Sequence, residues 1–239
     1  MDPRDKNILI TGAGRGIGRA LVTAALDRGA RKVYAAARNP QELRQWRDPR
    51  VVPLAVDITD DAMVQAAAVD ANDTDLLINN AGVLTSGSLL SLSDADLRRD
   101  MDTNFFGTLR VIRAFLPALA GRPEAAIANV VSISAFAGEP VRGAYSASKA
   151  ALFSATQSLR AELRPRRISV HAVFPGPVET EMARGVDARK TAPDVVARNN
   201  LAGIAAGIDD ILPDDGALSI GALWRRDPRA VEAVLSRSP

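Results

Sequence analysis

The 239-residue sequence contains no cysteine, so disulfides, cysteine-ligated zinc and thiol chemistry are all excluded. It has a single histidine, His171, in the middle of an apolar segment. One histidine supports neither a multi-histidine metal site nor a pair of histidine acid/base groups, so we predict a buried core histidine and no metal. Any proton chemistry must then come from tyrosine, lysine, carboxylates or hydroxyls.

Long apolar runs are also missing. No stretch reaches the about 18 apolar residues typical of a membrane-spanning helix, and the start, "MDPRDKNILITGAG", lacks the pattern of a signal peptide. Aromatic residues make up 4%, and the basic residues are scattered, giving a formal net charge of only +2. We therefore expect a cytoplasmic protein that binds neither a membrane nor nucleic acid.

The chain does contain short apolar runs that alternate with longer, helix-like segments. The runs are continuous, as expected for strands buried on both faces of a parallel sheet. This alternation predicts an α/β fold: a single-domain, Rossmann-type, doubly wound parallel sheet of about seven strands, with helices on both faces. The predicted strands are 7–11, 32–37, 51–56, 75–80, 125–134, 168–174 and 208–212.

No repeat or linker interrupts this pattern, so residues 1–239 are predicted to form one domain. After Pro175 the sequence becomes rich in proline, glycine and charge, which predicts a substrate lid at about 177–193. A helical tail is expected at about 216–239, with its helix at 228–235. The other predicted helices are 17–28, 60–69, 93–119, 144–163 and one starting near 193.

The first predicted strand ends in the glycine-rich turn "TGAGRGIG", residues 11–18. A strand, a glycine turn and a helix in succession let the backbone approach a pyrophosphate and aim helix N–H groups at it. A lone glycine pattern is weak, but this one opens a chain of repeating βα units. It predicts a dinucleotide site.

The end of the second predicted strand bears on the choice of dinucleotide. NAD-specific sites usually carry Asp or Glu there, whereas this chain has Ala37 and Arg38, with Arg15 in the glycine turn. Two guanidinium groups suit a 2′-phosphate, which favours NADP(H) over NAD(H). The alternative is that Arg38 merely ends a strand at the surface.

Tyr145 and Lys149 form a scarce pair, because the chain has only two tyrosines and four lysines. In the predicted helix 144–163, positions i and i+4 lie on one face. An adjacent ammonium favours the phenolate, so we expect Lys149 to lower the phenol pKa from its ordinary value near 10. The alternative is a surface pair on an amphipathic helix.

Taken in order, these motifs resemble the short-chain dehydrogenase/reductase family over about residues 6–182. They are "TGAGRGIG", "VDITD", "NNAG", "NFFG", "NVVS", "YSASK" and "PGPVET". The resemblance implies that Asp57 meets the adenine amino group and that the following residues contact the cofactor: Gly12, Arg15, Gly16, Ile17, Gly18, Arg38, Asp57, Ile58, Asn80, Ala81, Gly82, Tyr145, Lys149, Pro175, Gly176, Val178 and Thr180.

The same resemblance implies catalytic roles. Tyr145 is the general acid in carbonyl reduction and the base in alcohol oxidation, and Lys149 also holds the nicotinamide ribose. Ser132, at the family's usual 13 residues before Tyr145, binds the substrate oxygen. Asn104 holds a water in a proton relay. Ser134 is the rival of Ser132, and Asn104 has the alternative of being an ordinary helix residue.

The resulting prediction is an NADP(H)-dependent oxidoreductase that interconverts a ketone or aldehyde and its alcohol. The alternative is a non-catalytic NADP(H)-binding regulator of the same fold. The tail lacks the family's glycine-rich ending, so a homodimer or monomer is favoured over a tetramer. We expect a mostly apolar substrate pocket formed by the lid, 83–92 and 136–142, with contributions from Leu84, Phe136, Glu139, Pro140, Val141, Arg142, Val178 and Met182.

Overall fold

Seven parallel strands form one sheet in the computed structural model, which describes residues 1–185 and 187–236. Val186 of the predicted lid and residues 237–239 of the predicted tail lie outside the described residues. In chain order, the strands are β1 (Asn7–Thr11), β2 (Lys32–Ala37), β3 (Val51–Ala55), β4 (Leu76–Asn79), β5 (Ala125–Val130), β6 (Ile168–Val173) and β7 (Asp210–Ile211).

The strand order is β3-β2-β1-β4-β5-β6-β7, so β1 pairs with β2 on one side and with β4 on the other. Every residue of β1, β4 and β5 is buried, which confirms the prediction of strands covered on both faces. The order reverses between β1 and β4. In open α/β sheets, ligands bind in the crevice at the carboxyl ends of the strands at such a reversal.

Helices cover both faces of the sheet, as predicted. One face carries α1 and α6, and the other carries α2, α4 and α5, each packed on its own apolar cluster. The helices are α1 (Gly16–Asp27), α2 (Asp61–Asp70), α3 (Asp94–Met101), α4 (Thr108–Ala120), α5 (Gly143–Leu163), α6 (Pro193–Ala205), α7 (Asp215–Arg226) and α8 (Pro228–Leu235). No helix among the described residues is both long and apolar enough to cross a membrane.

The helix predicted at 93–119 is divided in two. A π-helical segment, Asp102–Gly107, lies between α3 and α4 and carries Asn104. Segments of this kind widen the helix locally and are frequent at functional sites. The hydrophobic period along the sequence gave no sign of it.

Most other element ends differ from the sequence prediction by one or two residues, and two departures are larger. The strand predicted at 125–134 ends at Val130, because the Ser132 side chain accepts a hydrogen bond from Ser134 N (3.1 Å) and starts a short 3-10 turn. The predicted tail contains an extra helix, α7. It starts where Asp214 caps the backbone N–H of Ala217 (2.8 Å).

Candidate active site

A cavity of about 1230 Å³ opens at the carboxyl ends of the central strands. It exceeds the roughly 300–1,000 Å³ of a drug-sized pocket, as a site for a dinucleotide and a second small molecule must. All the site residues predicted from the sequence line it, except Asn104: Gly12, Arg15, Gly16, Ile17, Gly18, Arg38, Asp57, Ile58, Asn80, Ala81, Gly82, Ser132, Tyr145, Lys149, Pro175, Gly176, Val178 and Thr180.

The glycine turn has no room for side chains. Gly12 and Gly16 adopt positive φ angles, +67° and +53°, which favour glycine. A Cβ on Gly18 would lie 2.0 Å from the carbonyl oxygen of Gly12. Among the described side chains, none caps the N-terminus of α1. The bare turn therefore fits a diphosphate, since its backbone can be approached closely and the helix N–H groups face the cavity.

Charged groups of both signs lie around this turn. Arg15 forms an ion pair with Glu181 of the lid, and both side chains are mostly exposed. Arg38 is exposed at the end of β2. Glu42 lies against the turn, because a Cβ on Gly14 would meet its Oε2 at 2.0 Å. The sequence analysis did not assign Glu42 or Glu181 to the site, since neither belongs to a recognised motif.

Asp57, which the sequence analysis expects to meet the adenine, lines the cavity beyond the turn. Partial burial acts to raise its pKa, but hydrogen bonds from the hydroxyl and backbone of Thr59, together with the charges of Arg38 and Arg110, lower the pKa of Asp57. The carboxylate therefore stays ionised as a hydrogen-bond acceptor.

Tyr145 and Lys149 project from α5 into the same cavity, and both are buried. The Lys149 Nζ lies 5.7 Å from the centre of the Tyr145 ring and donates to the carbonyl of Val130 (2.8 Å). Burial raises the pKa of Tyr145 to about 12 and lowers the pKa of Lys149 to about 8. The expected lowering of the phenol pKa by Lys149 is therefore wrong for this structure, because desolvation dominates both groups.

Ser132 is the serine next to the phenol. Its hydrogen bonding lowers the pKa of Tyr145 against the larger effect of burial. Ser134 lies one step further away, with its Oγ 3.2 Å from the Ser132 Oγ, and it donates to the carboxylate of Glu139. Glu139 is 4% exposed and is paired with Arg142 (2.6 Å).

Asn104 is fully buried behind Gly82 and does not reach the cavity. Its Oδ1 accepts from the backbone N–H of Val83 (2.8 Å), and its Nδ2 donates to the Val83 carbonyl (2.9 Å) and to Ser148 Oγ (2.8 Å). Both ends of the amide are thus held by protein groups. Asn104 fixes the strand end beside Lys149 to the π-helical segment.

The predicted substrate pocket is corrected at three residues. Phe136, Pro140 and Val141 do not line the cavity. Phe136 instead stacks between Phe174 (centroids 4.6 Å apart) and Trp224 (4.7 Å), because α7 supplies an aromatic partner on the far side of the turn. Of the segment predicted at 83–92, only Val83 and Leu84 line the cavity. The other side chains named from the sequence are present, and Thr103 adds to them: Leu84, Glu139, Arg142, Val178 and Met182.

His171 is a core residue, as predicted. It is buried in β6, and its two ring nitrogens contact the carbonyl of Ile208 (2.7 Å) and the hydroxyl of Ser169 (3.2 Å). In the part of the chain that the structure describes, no group of three or more His, Cys, Asp or Glu side chains is arranged to hold a metal ion.

Comparison with known proteins agrees with this geometry. A family model described as short chain dehydrogenase matches residues 6–191. Oxidoreductase UcpA of Salmonella typhimurium is 34% identical over 198 residues, covering 79% of this chain and 75% of its own. An uncharacterized oxidoreductase of Staphylococcus aureus is 31% identical over 204 residues, covering 81% of this chain and 88% of its own.

Solved structures match the whole fold. A short chain dehydrogenase from Burkholderia cenocepacia in complex with NADP is 41% identical, with a TM-score of 0.93 and 100% of both chains covered. A short chain dehydrogenase/reductase from Burkholderia phymatum in complex with NAD is 26% identical, with a TM-score of 0.87 and 96% of both chains covered.

Proposed function

The chain belongs to the short-chain dehydrogenase/reductase family of oxidoreductases, and from this premise we propose that it is an NADP(H)-dependent enzyme that interconverts a carbonyl group and an alcohol. One observation carries the proposal. Tyr145, Lys149 and Ser132 line the same cavity as the glycine turn of Gly12, so a proton donor and a dinucleotide site share one space.

NADP(H) is the proposed cofactor. When bound, it supplies the hydride for reduction or accepts the hydride in oxidation. Its diphosphate would fit the space that Gly12, Gly16 and Gly18 leave clear, Asp57 would accept from its adenine, and Arg15 and Arg38 would hold its 2′-phosphate. The Burkholderia cenocepacia relative, crystallised with NADP, supports this assignment. The NAD complex of the Burkholderia phymatum relative keeps NAD(H) as the alternative.

Tyr145 is the proposed proton donor for carbonyl reduction. Its pKa, raised to about 12 by burial, keeps the phenol protonated at neutral pH. The phenol gives its proton to the substrate oxygen as negative charge develops there, and Ser132 stabilises that charge by a hydrogen bond. In alcohol oxidation the same groups act in reverse.

Lys149 has the proposed role of holding the nicotinamide ribose hydroxyls and exchanging a proton near neutral pH. Burial lowers its pKa to about 8, so its protonated and neutral forms coexist in the physiological range. Asn104 secures Val83 beside Gly82 and so supports the cavity wall next to the Lys149 ammonium. We propose that Asn104 contributes to a proton relay from this buried position.

The proposed substrate is a mostly apolar ketone or aldehyde, or the matching secondary or primary alcohol. Leu84, Val178 and Met182 give apolar walls to the cavity that Tyr145 also lines. Assembly as a homodimer and a cytoplasmic location stay predictions of the sequence.

The test is NADPH consumption with a panel of ketones, aldehydes and diketones, with NADH in parallel and cofactor binding measured by calorimetry. We expect turnover on at least one apolar carbonyl and tighter binding of NADPH than of NADH. Binding of NADPH without turnover on any member would contradict a substrate within this panel and leave either a narrow substrate outside it or a non-catalytic NADP(H)-binding protein.

A further inference from the structure

Asp100 is a fully buried carboxylate that the proposed reaction does not use. It lies in the last turn of α3 and is 0% exposed. Its Oδ1 accepts from the hydroxyl of Thr85 (2.8 Å), and its Oδ2 accepts from the backbone N–H of Thr85 (3.1 Å). None of the ion pairs among the described residues includes Asp100. A buried carboxylate is unfavourable unless it is paired and hydrogen-bonded, so Asp100 lacks half of what usually stabilises one.

Lys149 is a buried cation in the same situation. It is 4% exposed, and its Nζ donates to the carbonyl of Val130 (2.8 Å). Its other neighbours are neutral groups: the phenol ring of Tyr145, the backbone at Gly82 and the amide of Asn104. In the part of the chain that the structure describes, Lys149 also takes part in no ion pair. One buried anion and one buried cation are therefore each without a direct partner of opposite charge.

The amide of Asn104 links the two charges in space. A Cβ on Gly82 would lie 3.0 Å from Asn104 Oδ1 and 3.6 Å from Lys149 Nζ, so the amide and the ammonium border the same backbone position. Asn104 follows Asp100 by four positions, on the π-helical segment that continues α3. Both side chains hold the segment 83–85 that comes directly after Gly82. Asp100 thus lies about one helical turn behind the group that borders the ammonium.

The electrostatics of the cavity agree with this placement. Burial has the larger effect on both Lys149 and Tyr145, but the charge of Asp100 acts to raise the pKa of each. Glu139 and Arg142, in the turn before α5, act on the pKa of Tyr145 with opposite signs, and neither acts on the pKa of Lys149. Among the described side chains, Asp100 is the one charge that acts on both groups.

We propose that Asp100 is the counter-charge of Lys149, a positioning residue that keeps the ammonium protonated without touching it. The consequence for catalysis rests on the proposed function, in which Lys149 donates to the nicotinamide ribose hydroxyls. An ammonium has three hydrogens, and the bond to Val130 uses one of them. A carboxylate in direct contact with Nζ would compete for the other two, whereas a carboxylate behind Asn104 leaves them for the cavity.

The first test titrates the ammonium in the cofactor-free protein. The chain has only four lysines, so Lys149 can be followed by NMR of isotope-labelled lysine side chains, and the spectrum of Lys149→Met assigns its signal. The pKa of Lys149 is about 8 in the wild type. We expect Asp100→Asn to lower the measured midpoint by at least about half a pH unit, because a buried ammonium loses its counter-charge. An unshifted midpoint would overturn the proposal.

Two control variants separate the charge of Asp100 from its contact. Asn at position 100 can still accept from the backbone N–H of Thr85 and can donate to its hydroxyl, so Asp100→Asn removes the charge and keeps the contact. Thr85→Val does the reverse. Asp102→Asn removes an exposed carboxylate from the adjoining segment. Both control variants are expected to leave the Lys149 midpoint unchanged. A midpoint that falls as far in Thr85→Val as in Asp100→Asn would overturn the counter-charge in favour of a structural contact.

A double-mutant cycle decides the question even where Asp100→Asn alone folds poorly. Denaturant unfolding at pH 7 compares the effect of Asp100→Asn in the wild type and in Lys149→Met. We expect a loss of stability in the wild type, where an ammonium is left unpaired, and a gain in Lys149→Met, where a lone buried anion is removed. An equal loss in both backgrounds, or unfolding of both, would contradict a coupling between Asp100 and Lys149.

The pH dependence of turnover separates this proposal from the proposed function. The pH profile of kcat/KM reports pKa values of the free enzyme. Its alkaline limb in carbonyl reduction is therefore expected to move to lower pH in Asp100→Asn, by the same amount as the Lys149 midpoint. A midpoint that moves while the limb stays would contradict the proposed role of Lys149 and leave Asp100 as its counter-charge. No wild-type turnover on any carbonyl would count against the proposed function, and the titration would still decide the role of Asp100.

Discussion

Lys149 lies over the ring of Tyr145, with its Nζ 5.7 Å from the ring centre, and the two are buried together on one face of α5. Burial acts on both in the same sense, by disfavouring the charged form. It raises the pKa of the phenol to about 12 and lowers the pKa of the amine to about 8. The scarce tyrosine and lysine thus form a pair whose charge states are set by their environment.

Lys149→Met is expected to stabilise the cofactor-free protein while abolishing tight cofactor binding. A pKa lowered from 10.5 to about 8 corresponds to about 3 kcal/mol at about 1.4 kcal/mol per unit. The loss of the hydrogen bond to Val130 offsets about 1 kcal/mol of this. Thermal or denaturant unfolding at pH 7 should therefore show a gain of about 2 kcal/mol.

The stability difference between Lys149→Met and the wild type is expected to depend on pH. Between pH 8 and 10.5 the folded protein binds fewer protons at Lys149 than the unfolded chain, so wild-type stability rises with pH in that window. The advantage of Lys149→Met should be largest below pH 8 and shrink towards pH 10.5. A less stable Lys149→Met at pH 7, or a pH-independent difference, would contradict a buried ammonium.

Arg38→Asp is expected to turn cofactor preference away from NADPH. Replacing the cation proposed to hold the 2′-phosphate by an anion should lower the NADPH/NADH ratio of kcat/KM by at least about tenfold, since a charged hydrogen bond is worth about 1.5–3 kcal/mol. Glu42→Gln is the opposite change, because it removes a carboxylate beside Gly14, and it should raise the ratio. If the Arg38→Asp ratio equals that of the wild type, the 2′-phosphate assignment of Arg38 is wrong.

Glu181→Gln is expected to tighten NADPH binding. The ion pair with Glu181 holds Arg15 towards the lid, and a surface pair of this kind is worth about 0–1 kcal/mol, or up to about fivefold in Kd. Glu179→Gln is the matched control, since it removes the same charge from a neighbouring exposed position of the lid. If the calorimetric Kd for NADPH changes equally in both variants, the effect comes from the loss of a negative charge in the lid and not from the Arg15–Glu181 ion pair.

Much of this site could be predicted from the sequence because its motifs are local. The turn at Gly12–Gly18 and the i,i+4 spacing of Tyr145 and Lys149 depend on backbone geometry over a few residues. The continuous apolar strands likewise predicted a doubly wound sheet, and the structure confirms it.

The rest depends on contacts between distant or irregular segments. Arg15 pairs with Glu181, which lies 166 positions further along the chain. Phe136 lies outside the cavity lining because it stacks on Trp224 of α7. The link from Ser134 to Glu139 requires the tight turn that ends β5 early. No periodicity or motif encodes such pairings, which arise only when the loops pack.

Ser132→Ala is expected to lower kcat more than Ser134→Ala does. Hydrogen bonding by Ser132 acts on the phenol, and Ser132 is the proposed contact of the reacting oxygen, so its loss should decrease kcat by about 10²–10³, as for the removal of one oxyanion donor. Ser134 acts one step away, through Ser132, and about tenfold is expected. The reverse order in steady-state kinetics would transfer the substrate contact to Ser134.

The most direct test of the proposed function compares wild type and Tyr145→Phe in NADPH-dependent carbonyl reduction, with NADPH Kd measured on both proteins. The phenol hydroxyl is the only group removed, so we predict that kcat falls by at least about 10³ while Kd stays within about threefold. Near-normal turnover in Tyr145→Phe would contradict the assignment of Tyr145 as the proton donor.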